Sequence, residues 1–121
     1  MKTVLLVDDD QLIREAIKVA LEATDIQVIE AVDGKAGLKE ALESHPDLIV
    51  LDENMPEMNG QEVLENLRND PWGAQAQVIA FTINDDITIM NKKLQAGITE
   101  YLDKSTVEPA QLAELIVKRL S

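Results

Sequence analysis

The sequence predicts an α/β protein: a doubly wound, five-stranded parallel sheet with helices on both faces. Two observations lead to this prediction. Short apolar segments alternate with segments of helical periodicity along all 121 residues. These segments form five strand–helix pairs of about 24 residues each, a length that suits crossovers between parallel strands. Residues 1–121 are therefore expected to form a single domain.

The first half of the chain predicts three strands. Their ranges are 3–7, 27–31 and 48–51. The third range is continuously apolar, which is typical of a strand buried on both faces of a parallel sheet. It is therefore the best candidate for the centre of the sheet.

Two helices separate these strands. The first has Asp10 as its expected N-cap, and its apolar residues recur at helical spacing: Leu12, Ile13, Ala16, Ile17, Ala20 and Leu21. The second is expected to begin at Asp33-Gly34 and to end at His45-Pro46, since the residue before a proline disfavours helix.

The second half repeats the alternation. Helices are expected after Asn59, whose spacing to Glu62 is that of a capping box, and after Glu108-Pro109. Strands are expected at 78–81 and at about 100–102. Between them, a fourth helix is expected from Asn84-Asp85-Asp86 to Gly97, with Ile87, Met90 and Leu94 on one face.

Composition narrows the functional classes. Hydrophobic residues make up 45% of the chain, which is enough for a core without cross-links. The absence of cysteine excludes disulfides, thiolate zinc sites and a thiol nucleophile, and it fits a cytoplasmic protein. The apolar run at 4–7 is too short for a signal peptide or a membrane span, so no membrane association is expected.

The net charge of −12 disfavours direct binding to nucleic acid, because phosphates would be repelled. The excess of acids has two interpretations. It can serve solubility alone, or it can include carboxylates gathered at a metal site. Total charge does not separate these interpretations, whereas the positions of the acids do.

Polar side chains follow four of the predicted strands. Asp8-Asp9, Asp52, Thr82 and Lys104 stand at these strand ends, and the carboxyl ends of parallel strands share one rim where ligands bind. Close carboxylates require a cation, and hard oxygen ligands suit Mg²⁺ or Mn²⁺. A metal, an ammonium and a hydroxyl together neutralise a phosphoryl group, with Asp52 as the expected nucleophile.

Four segments form a longer pattern, and they are VLLVDDD (4–10), PDLIVLDENMPEMNG (46–60), VIAFT (78–82) and AGITEYLDK (96–104). This pattern resembles the receiver domains of response regulators over essentially the whole chain. The resemblance implies the flavodoxin-like (βα)5 fold. It also implies a phosphoacceptor domain of two-component signal transduction that changes conformation on phosphorylation.

The resemblance also implies roles for individual residues. Asp52 matches the phosphoacceptor, and Lys104 matches the residue that pairs with the phosphoryl group. Asp9 matches the direct metal ligand, and Asp8 matches the acid that acts mainly through a metal-bound water. The backbone carbonyl of Asn54 matches the third protein ligand of the Mg²⁺ or Mn²⁺ ion.

A second group of residues matches the conformational switch. Thr82 would move to hydrogen-bond the phosphoryl group, and Tyr101 would then turn inward. The implied partners are a histidine kinase or histidine phosphotransfer domain, and a downstream protein at the surface around the fourth helix, fifth strand and fifth helix. Pro56 and Gly60 are expected to shape the loop after Asp52.

The sequence departs from the family pattern at two positions. Ser105 stands where the family usually has a proline joined by a cis bond, so the Lys104–Ser105 bond is expected to be trans. Ile83 stands where the family usually has a small residue. Its branched side chain is expected to narrow access to Asp52 and to slow phosphorylation by small donors.

Two alternatives to a phosphoacceptor stay open. A degenerate receiver would serve as a protein–protein interaction module without phosphate, which the two departures favour and the complete acid set disfavours. A phosphatase would need a second acid two residues after the nucleophile, where the chain has Asn54. The receiver itself would catalyse only its own phosphorylation and dephosphorylation, so it is not expected to be an ordinary enzyme.

Overall fold

The computed structural model describes residues 1–83 and 98–121. Five strands form one sheet in the order β2-β1-β3-β4-β5, and all neighbouring pairs are parallel. The strands are β1 Thr3–Val7, β2 Gln27–Ala31, β3 Leu48–Leu51, β4 Val78–Thr82 and β5 Ile98–Asp103. The predicted doubly wound parallel sheet is confirmed, with β3 at its centre.

In the part of the chain that the structure describes, helices follow β1, β2, β3 and β5. They are α1 Gln11–Leu21, α2 Gly34–Ser44, α3 Gly60–Arg68 and the C-terminal helix Pro109–Leu120. A short 3₁₀ turn at Gly73–Gln75 was not predicted. The predicted fourth helix falls within 84–97 and lies outside the described residues. Among the described helices, none combines the length and apolar character that crossing a membrane requires.

Each face of the sheet is covered by its own apolar layer. The α2–α3 core contains the buried residues Leu5, Val7, Ala31, Ala41, Ile49, Leu51, Met55, Val63, Leu64, Leu67, Val78 and Ala80. The α1–C-terminal core contains Val4, Leu6, Ile17, Leu21, Leu48, Val50, Ile79, Phe81, Leu112, Ala113, Ile116 and Leu120. Successive strand residues alternate between the two cores, as side chains of an extended chain must.

Side-chain caps fix where the helices begin. The Asp10 carboxylate accepts from the backbone N–H groups of Leu12 and Ile13, as predicted for α1. Asn59 and Glu62 form the predicted capping box of α3. Such caps satisfy N–H groups that have no partner within the helix, and they hold the loops at the carboxyl edge of the sheet in place.

The face of α1 that packs on the sheet includes only some of the apolar residues whose spacing predicted this helix. Arg14, Ile17 and Leu21 are buried, whereas Leu12 is 80% exposed. The apolar residues of this helix cover more than one stripe of its surface, so their spacing alone does not decide which stripe faces the sheet. Strand β5 is also longer than predicted, because its pairing with β4 continues to Asp103.

One aromatic contact lies at the amino edge of the sheet, where the strands begin. His45 ends α2 in the left-handed conformation, with φ 48°, and its ring stacks on Trp72 at 4.3 Å between centroids. The interplanar angle is 9°. These are the single histidine and the single tryptophan of the chain.

Glu57 also has a left-handed backbone, with φ 70°, in the exposed loop between β3 and α3. A side chain is disfavoured there, because Cβ approaches the following carbonyl oxygen. We expect Glu57→Gly to raise the free energy of unfolding by about 0.5–1 kcal/mol, measured by urea denaturation. Glu57→Ala is the control for loss of charge. An equal gain in both variants would contradict the backbone explanation.

Candidate functional site

Three aspartates meet at the carboxyl edge of the sheet. Asp8 follows β1 and Asp52 follows β3, and these strands are neighbours with Val7 opposite Leu51. Carboxylate oxygens of Asp8, Asp9 and Asp52 all lie within 4.8 Å of one another. Asp8 and Asp52 are each 6% exposed, whereas Asp9 faces solvent. Such an arrangement concentrates negative charge at a site open on one side.

The ammonium group of Lys104 lies between two of these acids. Lys104 Nζ is 2.7 Å from Asp8 Oδ2 and 3.1 Å from Asp52 Oδ2. Lys104 follows β5, which is separated from β3 by β4, so its side chain must reach past the end of β4. The backbone N–H of Lys104 donates to the Thr82 carbonyl at 2.8 Å, which continues the pairing of these two strands.

The other oxygen of each buried carboxylate accepts a backbone hydrogen bond. The Asp10 N–H donates to Asp8 Oδ1 at 2.9 Å, and the Glu53 N–H donates to Asp52 Oδ1 at 2.8 Å. Each carboxylate is therefore held by one backbone bond and by the shared ammonium. Groups fixed in this way keep their orientation without help from a ligand.

Burial and ion pairing act in opposite directions on these groups. Burial raises the pKa of Asp8 above its usual value, although hydrogen bonding to Lys104 offsets part of the effect. Burial tends to lower the pKa of Lys104, but its hydrogen bonds and charge interactions with Asp8 and Asp52 outweigh that effect and raise it. The lysine therefore stays charged, while the ionised form of Asp8 is disfavoured.

Thr82 ends β4, which lies between the strand that precedes Asp52 and the strand that precedes Lys104. Its side chain is buried, and among the described residues its Oγ1 atom has no hydrogen-bond partner. Leaving a buried hydroxyl unsatisfied costs free energy. The next residue, Ile83, is 50% exposed at the same strand end. The end of β4 therefore has a buried, unsatisfied hydroxyl and, next to it, an exposed apolar side chain.

The remaining predicted site residues are Asn54 and Tyr101. The Asn54 side chain is exposed in the loop after β3. Tyr101 is half-buried on β5, and its ring packs against the α2–α3 core. Burial raises the pKa of its phenol. Its predicted role as a switch stays a prediction.

A buried arginine, which was not predicted from the sequence, supports the loop that carries Asp8. Arg14 Nη1 donates to the Asp8 carbonyl at 2.7 Å, and Arg14 Nε donates to Glu30 Oε1 at 2.9 Å. These bonds tie α1 and β2 to the loop that carries Asp8. In the sequence, Arg14 directly follows the apolar pair Leu12-Ile13. That placement by itself resembles an ordinary surface position of a helix.

A buried glutamate supports the second loop. Glu53 Oε1 accepts from the Gln61 N–H at 2.8 Å, and the Glu53 carbonyl accepts from the Gly60 N–H at 3.0 Å. A Cβ at Gly60 would lie 2.5 Å from the Asp52 carbonyl oxygen, so only glycine fits this approach. The start of α3 therefore packs directly on the backbone of Asp52, in agreement with the structural role predicted for Gly60.

The bond between Lys104 and Ser105 is trans, as predicted. No cis peptide bond occurs in the described ranges 1–83 and 98–121. Even without the proline that the family usually has here, the side chain of Lys104 reaches both acids. The departure at Ser105 therefore leaves the site assembled.

The sequence of the chain is similar to the sequences of known response regulators over most of its length. The chain is 38% identical over 120 residues to the nitrate/nitrite response regulator protein homolog of Haemophilus influenzae, covering 98% of this chain and 56% of that protein. It is 38% identical over 104 residues to the KDP operon transcriptional regulatory protein KdpE of Escherichia coli, covering 86% and 45%. The chain thus spans about half the length of these relatives.

Solved structures agree with the sheet described above. The chemotaxis response regulator CheY4 of Vibrio cholerae superposes with a TM-score of 0.84 at 27% identity, covering 98% of both chains. A receiver domain protein of Clostridium thermocellum gives a TM-score of 0.83 at 25% identity, covering 99% of this chain and 94% of that one. The family model for the response regulator receiver domain matches residues 4–117. The chain therefore belongs to the response regulator receiver domain family.

Proposed function

We propose that residues 1–121 form one phosphoacceptor domain, in which Asp52 accepts a phosphoryl group in a Mg²⁺-dependent reaction. The donor is a phosphohistidine on a histidine kinase or a histidine phosphotransfer domain. The observation that carries this proposal is the position of the Lys104 ammonium between Asp8 and Asp52 in a buried acid cluster. The same arrangement disfavours a degenerate receiver, because a module without phosphate chemistry has no need for it.

The donor set at this edge suits a divalent cation. With all four groups in their charged forms, the three carboxylates and the ammonium have a formal net charge of −2, which a divalent cation would neutralise. Oxygen ligands of this kind favour Mg²⁺ or Mn²⁺. In the proposed site Asp9 and Asp52 bind the ion directly, Asp8 acts mainly through a bound water, and the Asn54 carbonyl is the third protein ligand.

The proposed transfer is a displacement at phosphorus. An oxygen of the Asp52 carboxylate forms the new O–P bond, the P–N bond to the donor histidine breaks, and its electron pair returns to the imidazole nitrogen, which takes up a proton. Bound Mg²⁺ would supply positive charge to the phosphoryl oxygens. Lys104 pairs with one of these oxygens, and the unsatisfied Thr82 hydroxyl donates to another. Hydrolysis of the aspartyl phosphate later regenerates Asp52.

The proposed output is a change of conformation. Movement of Thr82 toward the phosphoryl group would leave space for Tyr101 to turn inward from its half-buried position. A downstream protein would recognise the surface around the fourth helix, β5 and the C-terminal helix. The fourth helix is a prediction from the sequence, and its range of 84–97 lies outside the described residues. The chemistry is confined to the domain's own phosphorylation and dephosphorylation, so it is a switch and not an ordinary enzyme.

We expect Asp52→Ala to abolish covalent phosphorylation by acetyl phosphate and Mg²⁺, measured as the mass increase of the intact protein. The reason is that the proposed O–P bond forms on an Asp52 carboxylate oxygen, which alanine lacks. Asp25→Ala is the matched control, because Asp25 is an exposed aspartate before β2, at the opposite edge of the sheet. Persistent labelling of Asp52→Ala would refute the assignment.

We expect Asp8→Asn to stabilise the metal-free protein at pH 7 and to remove the stabilisation by Mg²⁺. A raised pKa means that folding disfavours the ionised acid, so the charge of Asp8 costs stability above that pKa and the cost disappears as the pH falls through it. The parent should gain about 2.7 kcal/mol at a Mg²⁺ concentration of 100 Kd. Thermal unfolding of both proteins, with and without Mg²⁺, measures the two effects. Equal stabilisation by Mg²⁺ in both would contradict the metal assignment.

We expect Ile83→Ala to increase the rate of phosphorylation by acetyl phosphate about fivefold, which corresponds to roughly 1 kcal/mol of activation free energy. Ile83 is exposed and follows Thr82 at the end of β4, and we infer that its branched side chain narrows access to Asp52. Val32→Ala, an exposed apolar residue after β2, is the control. An unchanged rate for Ile83→Ala would show that this side chain does not limit access.

A further inference from the structure

The loop after β5 is held by a side chain where the family usually has a proline. Asp103 Oδ1 accepts from the Ser105 N–H at 2.9 Å and from the Ser105 hydroxyl at 2.7 Å. Both bonds close a turn around the residue between them, which is Lys104. Aspartate commonly forms turns of this kind with the backbone two residues ahead.

Backbone bonds secure the same turn on both sides. The Asp103 carbonyl accepts from the N–H groups of Thr106 and Val107 at 3.0 and 2.9 Å, and the Lys104 N–H donates to the Thr82 carbonyl at 2.8 Å. The backbone of Lys104 is therefore fixed to β4 on the strand side. On the loop side, the Asp103 side chain adds its two hydrogen bonds with Ser105 to the backbone bonds from Thr106 and Val107.

The position of this backbone matters because the lysine must reach a distant pair of acids. Its ammonium is 2.7 Å from Asp8 and 3.1 Å from Asp52, although β5 lies two strands away from β3. A lysine side chain has many rotamers, so an unrestrained backbone would spread the ammonium over many positions. Displacements of about 1 Å are enough to weaken a pre-organised electrostatic site.

We propose that Asp103 is a positioning residue, whose turn with Ser105 holds Lys104 at the distance that the phosphoryl site requires. It replaces with hydrogen bonds the restraint that a proline ring gives in most of the family. The inference rests on the proposed function of Lys104, and it assigns Asp103 no contact with the phosphoryl group. Removing a purely structural turn would change the stability of the fold alone, whereas removing a positioning turn would also change the position of the Lys104 ammonium.

Two substitutions separate these roles. Asp103→Asn removes the charge but keeps an oxygen that accepts from Ser105, whereas Asp103→Ala removes both. The variants carry the same net charge, and they differ in whether residue 103 keeps an oxygen that can accept from Ser105. The first measurement is the affinity of each protein for beryllium fluoride in the presence of Mg²⁺. This probe has the shape and charge of a phosphoryl group on Asp52 and therefore requires the ammonium of Lys104.

We expect Asp103→Ala to bind beryllium fluoride about fivefold less tightly than Asp103→Asn, as expected for loss of a hydrogen-bonded restraint. The affinity for Mg²⁺ alone should be equal in the two variants, because the turn does not touch the acids. Equal affinity of the two variants for beryllium fluoride would overturn the proposal. A loss in Asp103→Ala that is matched by an equal loss of Mg²⁺ affinity would also overturn it, since that result indicates a general disturbance.

A second measurement needs neither metal nor phosphoryl analogue. In protein with ¹⁵N-labelled lysine, the ammonium signal of Lys104 should be visible by NMR in the parent and in Asp103→Asn, because its hydrogen bonds slow proton exchange. We expect this signal to be lost in Asp103→Ala while the backbone spectrum stays folded. Retention of the signal in Asp103→Ala would contradict the inference. Failure of the parent to bind beryllium fluoride would instead refute the proposed function, and the NMR comparison would still decide the role of Asp103.

Discussion

The repulsion among three carboxylates at the end of β1 and β3 is the constraint around which the rest of the site is arranged. Two of them are buried, where charge is least tolerated. The lysine after β5 relieves part of the repulsion. The pairing of β5 with β4 continues to Asp103, so Lys104 follows directly at the edge of the sheet where the acids lie. The sheet order therefore has an electrostatic consequence. Elements far apart in the chain must fold together before the Lys104 ammonium can lie between Asp8 and Asp52.

Residues outside the acid cluster hold the two loops that carry the buried acids. Arg14 holds the carbonyl of Asp8 and pairs with Glu30, so a second buried cation stabilises the loop without occupying the site. Glu53 binds the start of α3, and Gly60 lets that helix approach the backbone of Asp52. The acids are thus fixed by backbone and by their neighbours. A ligand entering the site needs little rearrangement, which is what pre-organised electrostatics requires.

Much of this arrangement was predictable from the sequence, for a physical reason. Strand ends of a parallel sheet share one edge, so the polar residues after each apolar segment identified Asp8, Asp9, Asp52, Thr82 and Lys104 as neighbours. The apolar face of α1 was not predictable, because an arginine at an inward position looks like any surface cation until its partner on β2 is known. The turn at Asp103 was not predicted for a similar reason: its acceptor and donor are polar residues two positions apart, of a kind common in loops.

The stacked pair at the opposite edge has a practical consequence for spectroscopy. Trp72 is the single tryptophan and contacts the ring of His45, where the strands begin, while the acids lie where the strands end. Its fluorescence therefore reports on the contact between α2 and the segment after α3. A change of tryptophan fluorescence on phosphorylation of Asp52 would have to be transmitted from one edge of the sheet to the other, and a tryptophan signal in an unfolding experiment reports on the edge opposite the acid cluster.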